Sequence, residues 1–217
     1  MARRGDARGA VQIRAVTRAD LAALYRIALL TGDAGADASA LYRDGDLVGH
    51  VFAAPYAVLE PDAGLVAQDD EGVGGYILGA RDTLAFEAKL EAQWWPGLRE
   101  RYPAPGGEPG LWGEDEARSF QIHHPRPPPA RITGPYPSHL HIDLLPRLQG
   151  RGLGRALMDR WLALMRAAGS RGVHLGVSRQ NARAIRFYRS YGFEEFRFPK
   201  ARAGAGGLYF VMDLRRY

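Results

Sequence analysis

The chain is 217 residues long, 46% hydrophobic and 24% charged, enough to bury one sizeable core and short for two. That composition excludes wholesale disorder, a collagen-like repeat and a disulfide scaffold, and the absence of cysteine removes thiolate metal sites, iron–sulfur clusters and a cysteine nucleophile. The formal charge of +5 is laid unevenly: residues 137–217 carry 15 basic and 5 acidic side chains, net +10, against 14 and 19, net −5, in residues 1–136.

Residues 1–10 are basic, lack the apolar run of a secretory signal and read as a flexible N-terminus. The apolar run 21–30 is broken by Arg26 and too short to cross a bilayer, so a cytoplasmic, non-membrane protein is expected. Residues 11–16 alternate as a strand does, and Thr17 with Asp20 resembles a capping box opening a helix over 21–30. Residues 38–55 have mixed helical and irregular character. The runs 64–68 and 72–78, around Asp69-Asp70-Glu71-Gly72, predict a hairpin.

From Thr83 the spacing of Leu84, Leu90 and Trp94 is helical until Pro96 and Pro103 punctuate it. Residues 103–113, rich in proline and glycine, read as an ordered connection or a lid, and residues 123–129 as a polyproline-prone connection. The C-terminal third is clearest: strand 140–145, helix 152–168, strand 173–177, helix 181–190, then strands near 193–196 and 208–214. Leu157, Trp161, Leu164 and Ala168 keep helical spacing, while Val173, Leu175 and Val177 alternate.

Gln149-Gly150-Arg151-Gly152-Leu153-Gly154-Arg155 lies between an apolar strand and a long amphipathic helix. Glycines in such a turn leave backbone amides and a helix N-terminus open to a phosphate. No lysine followed by serine or threonine closes the turn, and the G-x-G-x-x-G spacing of a dinucleotide fold is missing. A tight turn that only packs the helix is the alternative. About thirty residues on comes Asn181-Ala182-Arg183-Ala184-Ile185-Arg186-Phe187-Tyr188-Arg189-Ser190-Tyr191-Gly192-Phe193.

In that order these residues resemble the GNAT acetyltransferase superfamily. Its acetyl-CoA motif, Q/R-x-x-G-x-G/A, is matched by Gln149, Gly152 and Gly154, and its N-x-x-A-x-x-F-Y-x-x-x-G-F pattern by Asn181, Ala184, Phe187, Tyr188, Gly192 and Phe193. A narrower resemblance rests on Gly75-Tyr76-Ile77-Leu78-Gly79, on Thr83 with Trp94-Trp95-Pro96 and Arg101-Tyr102-Pro103, and on Pro135-Tyr136-Pro137. It is to the acetyltransferase-like C-terminal domain of O-GlcNAcase and its free-standing bacterial relatives. That domain is often regarded as a pseudo-acetyltransferase in its animal members, which lack an intact acetyl-CoA loop, whereas this chain keeps the glycines.

The resemblance implies an α+β fold in one domain over residues 1–217. Its centre is a twisted, mixed, mostly antiparallel sheet of six to seven strands flanked by helices, with splayed parallel strands forming a slot for coenzyme A. It implies that the amides of Arg151, Gly152, Gly154 and Arg155, in a turn that includes Gly150 and Leu153, hold a pyrophosphate. The strand edge at Leu144 and Leu145 would pair with the pantetheine arm, and Gln149, Asn181, Ala184 and Tyr188 complete the cofactor site. Asn181 also suits a helix cap.

Tyr188 is the candidate general acid for a departing thiolate, since a phenol with an ordinary pKa near 10 stays protonated at neutral pH; its alternative is packing beside Phe187. The base that takes a proton from an attacking amine is assigned to Asp143 first and His141 second. With His139 these share one strand face unless a bulge breaks the parity. A metal site from His123, His124, His139 and His141 is not supported, adjacent histidines in a proline-rich loop being weak ligands, and the Trp94-Trp95 pair reads as packing.

The expected function is acetyl transfer from acetyl-CoA to a primary amine, on a small molecule or a protein lysine, by a monomer or homodimer. The alternative is a coenzyme-A-binding pseudoenzyme that serves as an interaction domain. No nucleic-acid-reading element is found, and the +10 segment coincides with the site of an anionic cofactor. The −5 remainder predicts an acidic acceptor wall suited to a cationic amine.

Overall fold

A seven-stranded mixed sheet in the order β1-β2-β3-β4-β5-β7-β6 organises the computed structural model, which describes residues 9–198 and 207–216. Most of the expected flexible N-terminus, residues 1–8, lies outside the described residues. The strands are β1 (Gln12–Ala15), β2 (Gly64–Asp69), β3 (Gly72–Ala80), β4 (Ser138–Leu144), β5 (Gly172–Val177), β6 (Glu194–Glu195) and β7 (Leu208–Asp213). Neighbours are antiparallel except β4 and β5, which are parallel.

One face is covered by α1 (Leu21–Thr31), α2 (Asp46–Phe52), α3 (Ala54–Leu59), α4 (Thr83–Gln93), α5 (Trp95–Arg101) and α6 (Glu114–His123). Their Leu24, Leu47, Tyr56, Phe86, Leu98 and Ile122 pack with Val66, Tyr76 and Leu78 of the sheet. A short α7 (Ala130–Thr133) leads into β4, and α8 (Leu153–Ala167) and α9 (Ala182–Tyr191) cover the other face, over Ile77, Leu140, Leu175 and Phe210.

The expected start is realised: the Asp20 carboxylate accepts from the Thr17 amide and hydroxyl and pairs with Arg14 at 2.7 Å. Asp82 caps α4 by accepting from the Ala85 amide at 2.9 Å. Along α8, Leu157, Met158, Trp161, Leu162 and Met165 form the buried stripe that its spacing predicts, and Trp161 Nε1 donates to the Ala63 carbonyl at 2.9 Å. Gly79 is required beneath that indole, since a Cβ there would sit 2.5 Å from the Trp161 ring and 2.3 Å from the His139 carbonyl oxygen.

Two departures from the sequence reading concern loops and strand ends. Residues 114–123, given no element from the sequence, form α6, whose acidic Asp115 accepts from the Arg43 and Asp44 amides. The strand near 193–196 shrinks to two residues. The bulge allowed for in β4 is not there: its register with β3 runs unbroken from Gly75↔Leu144 to Ala80↔His139, and the irregularity falls in β2 between Ala67 and Gln68. β4 and β5 pair only at Ser138↔Val173 and His139↔His174, leaving the C-terminal part of β4 unpaired on that side.

Candidate functional site

The turn between β4 and α8 is shaped by Gly150 and Gly152 at φ +71° and +74°, a region that costs an L-residue with a side chain about 1–2 kcal/mol. The first α8 hydrogen bond runs from the Ala156 amide to the Gly152 carbonyl at 3.1 Å, so the amides of Leu153, Gly154 and Arg155 have no helical acceptor. Gln149 Nε2 donates to the Leu144 carbonyl at 2.6 Å, and its Oε1 accepts from Arg183, which ties the turn to both β4 and α9. Asn181 Oδ1 accepts from the Ala184 amide at 2.9 Å and caps α9.

The turn, the free edge of β4 and α9 enclose a cleft of about 400 Å³. Leu144, Gln149, Gly150, Gly152, Leu153 and Gly154 line it together with Arg155, Asn181, Ala184 and Tyr188. Arg155 and Arg183 face Asp143 as the one carboxylate of its wall, so the cleft favours an anion. Thr31, Gly35, Ile142, Phe187 and Ser190 complete it.

Of the residues expected in the cofactor set, Leu145 is turned away, and the side chain of Arg151, though not the amide assigned to it, points elsewhere. The Leu145 amide donates to the Gly74 carbonyl at 2.8 Å, its carbonyl accepts from the Leu148 amide at 2.9 Å, and its side chain lies in the opposite core. Antiparallel pairing alternates, so the Leu144 amide points to the gap and the Leu145 amide cannot. Arg151 reaches the Gly9 carbonyl at 2.8 Å and its side chain does not line the cleft.

On the other face, His139, His141 and Asp143 project together, as the parity argument requires. Burial pushes the Asp143 carboxyl up to about 6, opposed by the nearby hydroxyls of Tyr76 and Thr31. Neither hydroxyl makes a hydrogen bond of normal geometry to it: Thr31 donates to the Ile27 carbonyl at 2.7 Å, and the Tyr76 hydroxyl is buried without a partner. Burial also lowers His141 to about 4 and takes His139 well below the usual imidazole range. Both rings contact the Tyr56 hydroxyl, at 2.9 Å for His139 Nε2 and 3.1 Å for His141 Nε2.

His141 does not line the 400 Å³ cleft; it lies between two smaller cavities of about 200 and 220 Å³ on its own face. The first of these shares Asp143, Asn181 and Tyr188 with the cleft, so the two faces communicate through the gap between β4 and β5. Tyr188 is 6% exposed at that junction, and burial, then the Asp143 charge, push its phenol above the ordinary range. No hydrogen bond occupies its hydroxyl among the described residues.

The anionic acceptor wall suggested by linear charge is not what these cavities present. One sets Asp143 against Arg118, which also pairs with Glu114, and the other Glu87 against Arg126, while Asp44 and Glu116 are engaged by Arg101 and Arg43 elsewhere. His123 donates to the Tyr102 carbonyl and His124 packs on Phe120. Trp94 donates to the His50 carbonyl and Trp95 is buried, as packing residues. Tyr76 and Thr83 entered the sequence reading as marks of the narrower resemblance and Tyr56 and Thr31 not at all, because only long-range contacts bring the four to β4.

The chain belongs to the GNAT acetyltransferase family, whose family description, acetyltransferase (GNAT) family, matches residues 120–193. Among its relatives, the crystal structure of SsHAT superposes with a TM-score of 0.84 and 36% identity over 94% of this chain and 98% of that one. Protein O-GlcNAcase of Rattus norvegicus is 28% identical over 71% of this chain, a match that spans 17% of the rat protein. A GCN5-like protein acetyltransferase of Mycobacterium tuberculosis is 34% identical over 54% of this chain and 57% of its own length. Among the described residues, no helix is long and apolar enough to cross a membrane.

Proposed function

We propose that this protein is an acetyl-CoA-dependent N-acetyltransferase in which a primary amine attacks the thioester directly. The observation that carries this reading is the convergence of three features at the gap in the sheet: the glycine turn with its free amides, the unpaired Leu144 amide and the Tyr188 hydroxyl. Asp143 enters the same gap from the opposite face.

Acetyl-CoA is the acetyl donor substrate. The amides of Leu153, Gly154 and Arg155 at the head of α8 suit its pyrophosphate, with Arg155 and Arg183 adding positive charge. The Leu144 amide is the donor available for an oxyanion on the thioester carbonyl. Asp143, held near 6, is ionised at neutral pH and basic enough to take the amine proton. The amine nitrogen bonds to the carbonyl carbon, the C–S bond breaks, and Tyr188 gives its proton to the departing sulfur, to be reprotonated through solvent.

Isothermal titration with acetyl-CoA and desulfo-CoA tests donor binding, followed by an acceptor panel of polyamines, aminoglycosides, aminosugars and basic peptides. Binding with turnover of at least one amine is expected. No binding of either coenzyme would overturn the reading, and binding with no turnover on any amine would leave a binding domain in its place.

A further inference from the structure

Behind His141 runs a chain of hydrogen bonds whose direction can be worked out from one end. Thr83 Oγ1 lies 2.7 Å from the Pro137 carbonyl oxygen and 2.8 Å from His139 Nδ1. A carbonyl cannot donate, so the single Thr83 proton points at Pro137, and Thr83 must accept from His139 Nδ1–H. Burial keeps the His139 ring neutral, beside His174 and His141. A neutral ring protonated on Nδ1 carries a lone pair on Nε2, so the Tyr56 hydroxyl donates to it. Tyr56 then has no proton left for His141 and accepts from His141 Nε2–H at 3.1 Å.

His141 Nδ1 is therefore the unprotonated nitrogen. It has no hydrogen-bond partner among the described residues, and unlike Nε2 of His50 and of His174 it is not sealed from its surroundings. Its ring borders both cavities of the Asp143 face. Asp143 stands two residues along on the same face, about 7 Å away by the rise of a strand, so one nitrogen placed between them can touch both groups.

We propose that Thr83, His139 and Tyr56 are positioning residues that fix His141 as its Nε2–H tautomer, so that its Nδ1 lone pair accepts a hydrogen bond from an N–H of the amine acceptor. This deepens the acetyltransferase reading and rests on it for the identity of the bound amine. The division of labour follows: Asp143 takes a proton, and His141 aims the nitrogen that loses it. An imidazole held near 4 is too weak a base to remove the proton itself, which suits it to orientation.

The free protein tests the chain without any substrate. In multiple-bond ¹⁵N–¹H correlation spectra of histidine-labelled protein, His139 is expected to be protonated on Nδ1 and His141 on Nε2. Thr83→Val removes the acceptor that orders the chain, and should convert a measurable fraction of His141 to the Nδ1–H form, whereas Thr83→Ser should keep the wild-type pattern. Tyr56→Phe should leave His141 in mixed tautomers. Addition of n-butylamine should shift the Nδ1 resonance of wild-type His141 and do so less in Thr83→Val.

For whichever amine the panel shows to be acetylated, Thr83→Val should raise its KM about tenfold, with the acetyl-CoA dissociation constant within twofold of wild type and Thr83→Ser restoring the value. Wild-type His141 protonated on Nδ1 overturns the proposal, as does a Thr83→Val protein that retains the wild-type tautomers. The expected tautomers with an Nδ1 that n-butylamine does not move would make the chain structural only. None of these results bears on coenzyme A binding, so failure here and failure of the acetyltransferase reading are separable.

Discussion

The two faces of β4 show how one strand divides scaffold from chemistry. Leu140, Ile142 and Leu144 face the core under α8 and α9, where the sequence is periodic. His139, His141 and Asp143 face the helices of the N-terminal half, and among the described residues the side-chain hydrogen-bond partners of the two histidines lie far off in sequence: Tyr56 83 and 85 residues away, Thr83 56 residues from His139. In the proposed function the α8 face supplies the donor cleft from backbone geometry, and the other face supplies the proton chemistry from burial. Changes on the first should move stability and donor affinity; changes on the second should move turnover and acceptor handling.

Asp143→Asn is the sharpest probe of that division. Acetyl transfer should fall by about 10²–10⁴, as for loss of a general base, with the acetyl-CoA dissociation constant within twofold by calorimetry. The folded protein holds this carboxyl at about 6, above its ordinary 3.8, so it binds the proton more tightly than the unfolded chain does. The stability this gives below pH 4 is lost as pH rises through 6. Asparagine removes that loss, roughly 3 kcal/mol at pH 7, so the variant should melt about 5–10 °C higher at that pH by calorimetry. A large drop in donor affinity would break the comparison.

Trp161→Ala on the α8 side should cost about 3–5 kcal/mol in urea unfolding, since the indole is fully buried and donates to Ala63. Tyr188→Phe should lower turnover by about 10²-fold while leaving donor affinity nearly unchanged; equal rates would remove Tyr188 as the acid. Gly152→Ala forces a side chain to φ +74°, and should lose about 1–2 kcal/mol of stability while weakening acetyl-CoA binding about tenfold. The smallest effect is the pH profile of wild-type turnover. It should rise tenfold per unit below about pH 6 and level off above, and a rise centred near pH 8 would point to another group.

The same division decides what could be read from the sequence. The strand, glycine turn and helix of residues 140–168 are local features, and α8 runs within one residue of its expected bounds at each end. The residues that line the cleft are those of the motif, save that Leu145 belongs to the wrong parity of the strand; the Arg151 side chain swings to Gly9. α6 escaped because its sequence offers no apolar stripe, with Ile122 its one buried residue; it is held by docking and by the hydrogen bonds Asp115 accepts from backbone amides. The relay through Tyr56 and Thr83 has no local signature. Linear charge misled because acids of residues 1–136 such as Asp44 and Glu116 are spent on arginines away from the cavities, and Glu114 on the Arg118 that lines one of them.

The short parallel pairing of β4 with β5 makes the sheet a mechanical seam. Two rungs, at Ser138 and His139, join the half built from β1 to β4 with the half built from β5 to β7, and below them Ile142 and Leu144 turn backbone groups to the gap, where Gln149 holds the Leu144 carbonyl and leaves the Leu144 amide open. An extended, amide-bearing ligand laid in that gap acts as the missing strand segment. Its occupancy then couples to the cohesion of the whole sheet: at a hundred times its dissociation constant, such a ligand adds about 2.7 kcal/mol to the free energy of unfolding. Hydrogen exchange along β4 and β5 should slow together when the donor binds, two strands closing as one unit across a space neither spans alone.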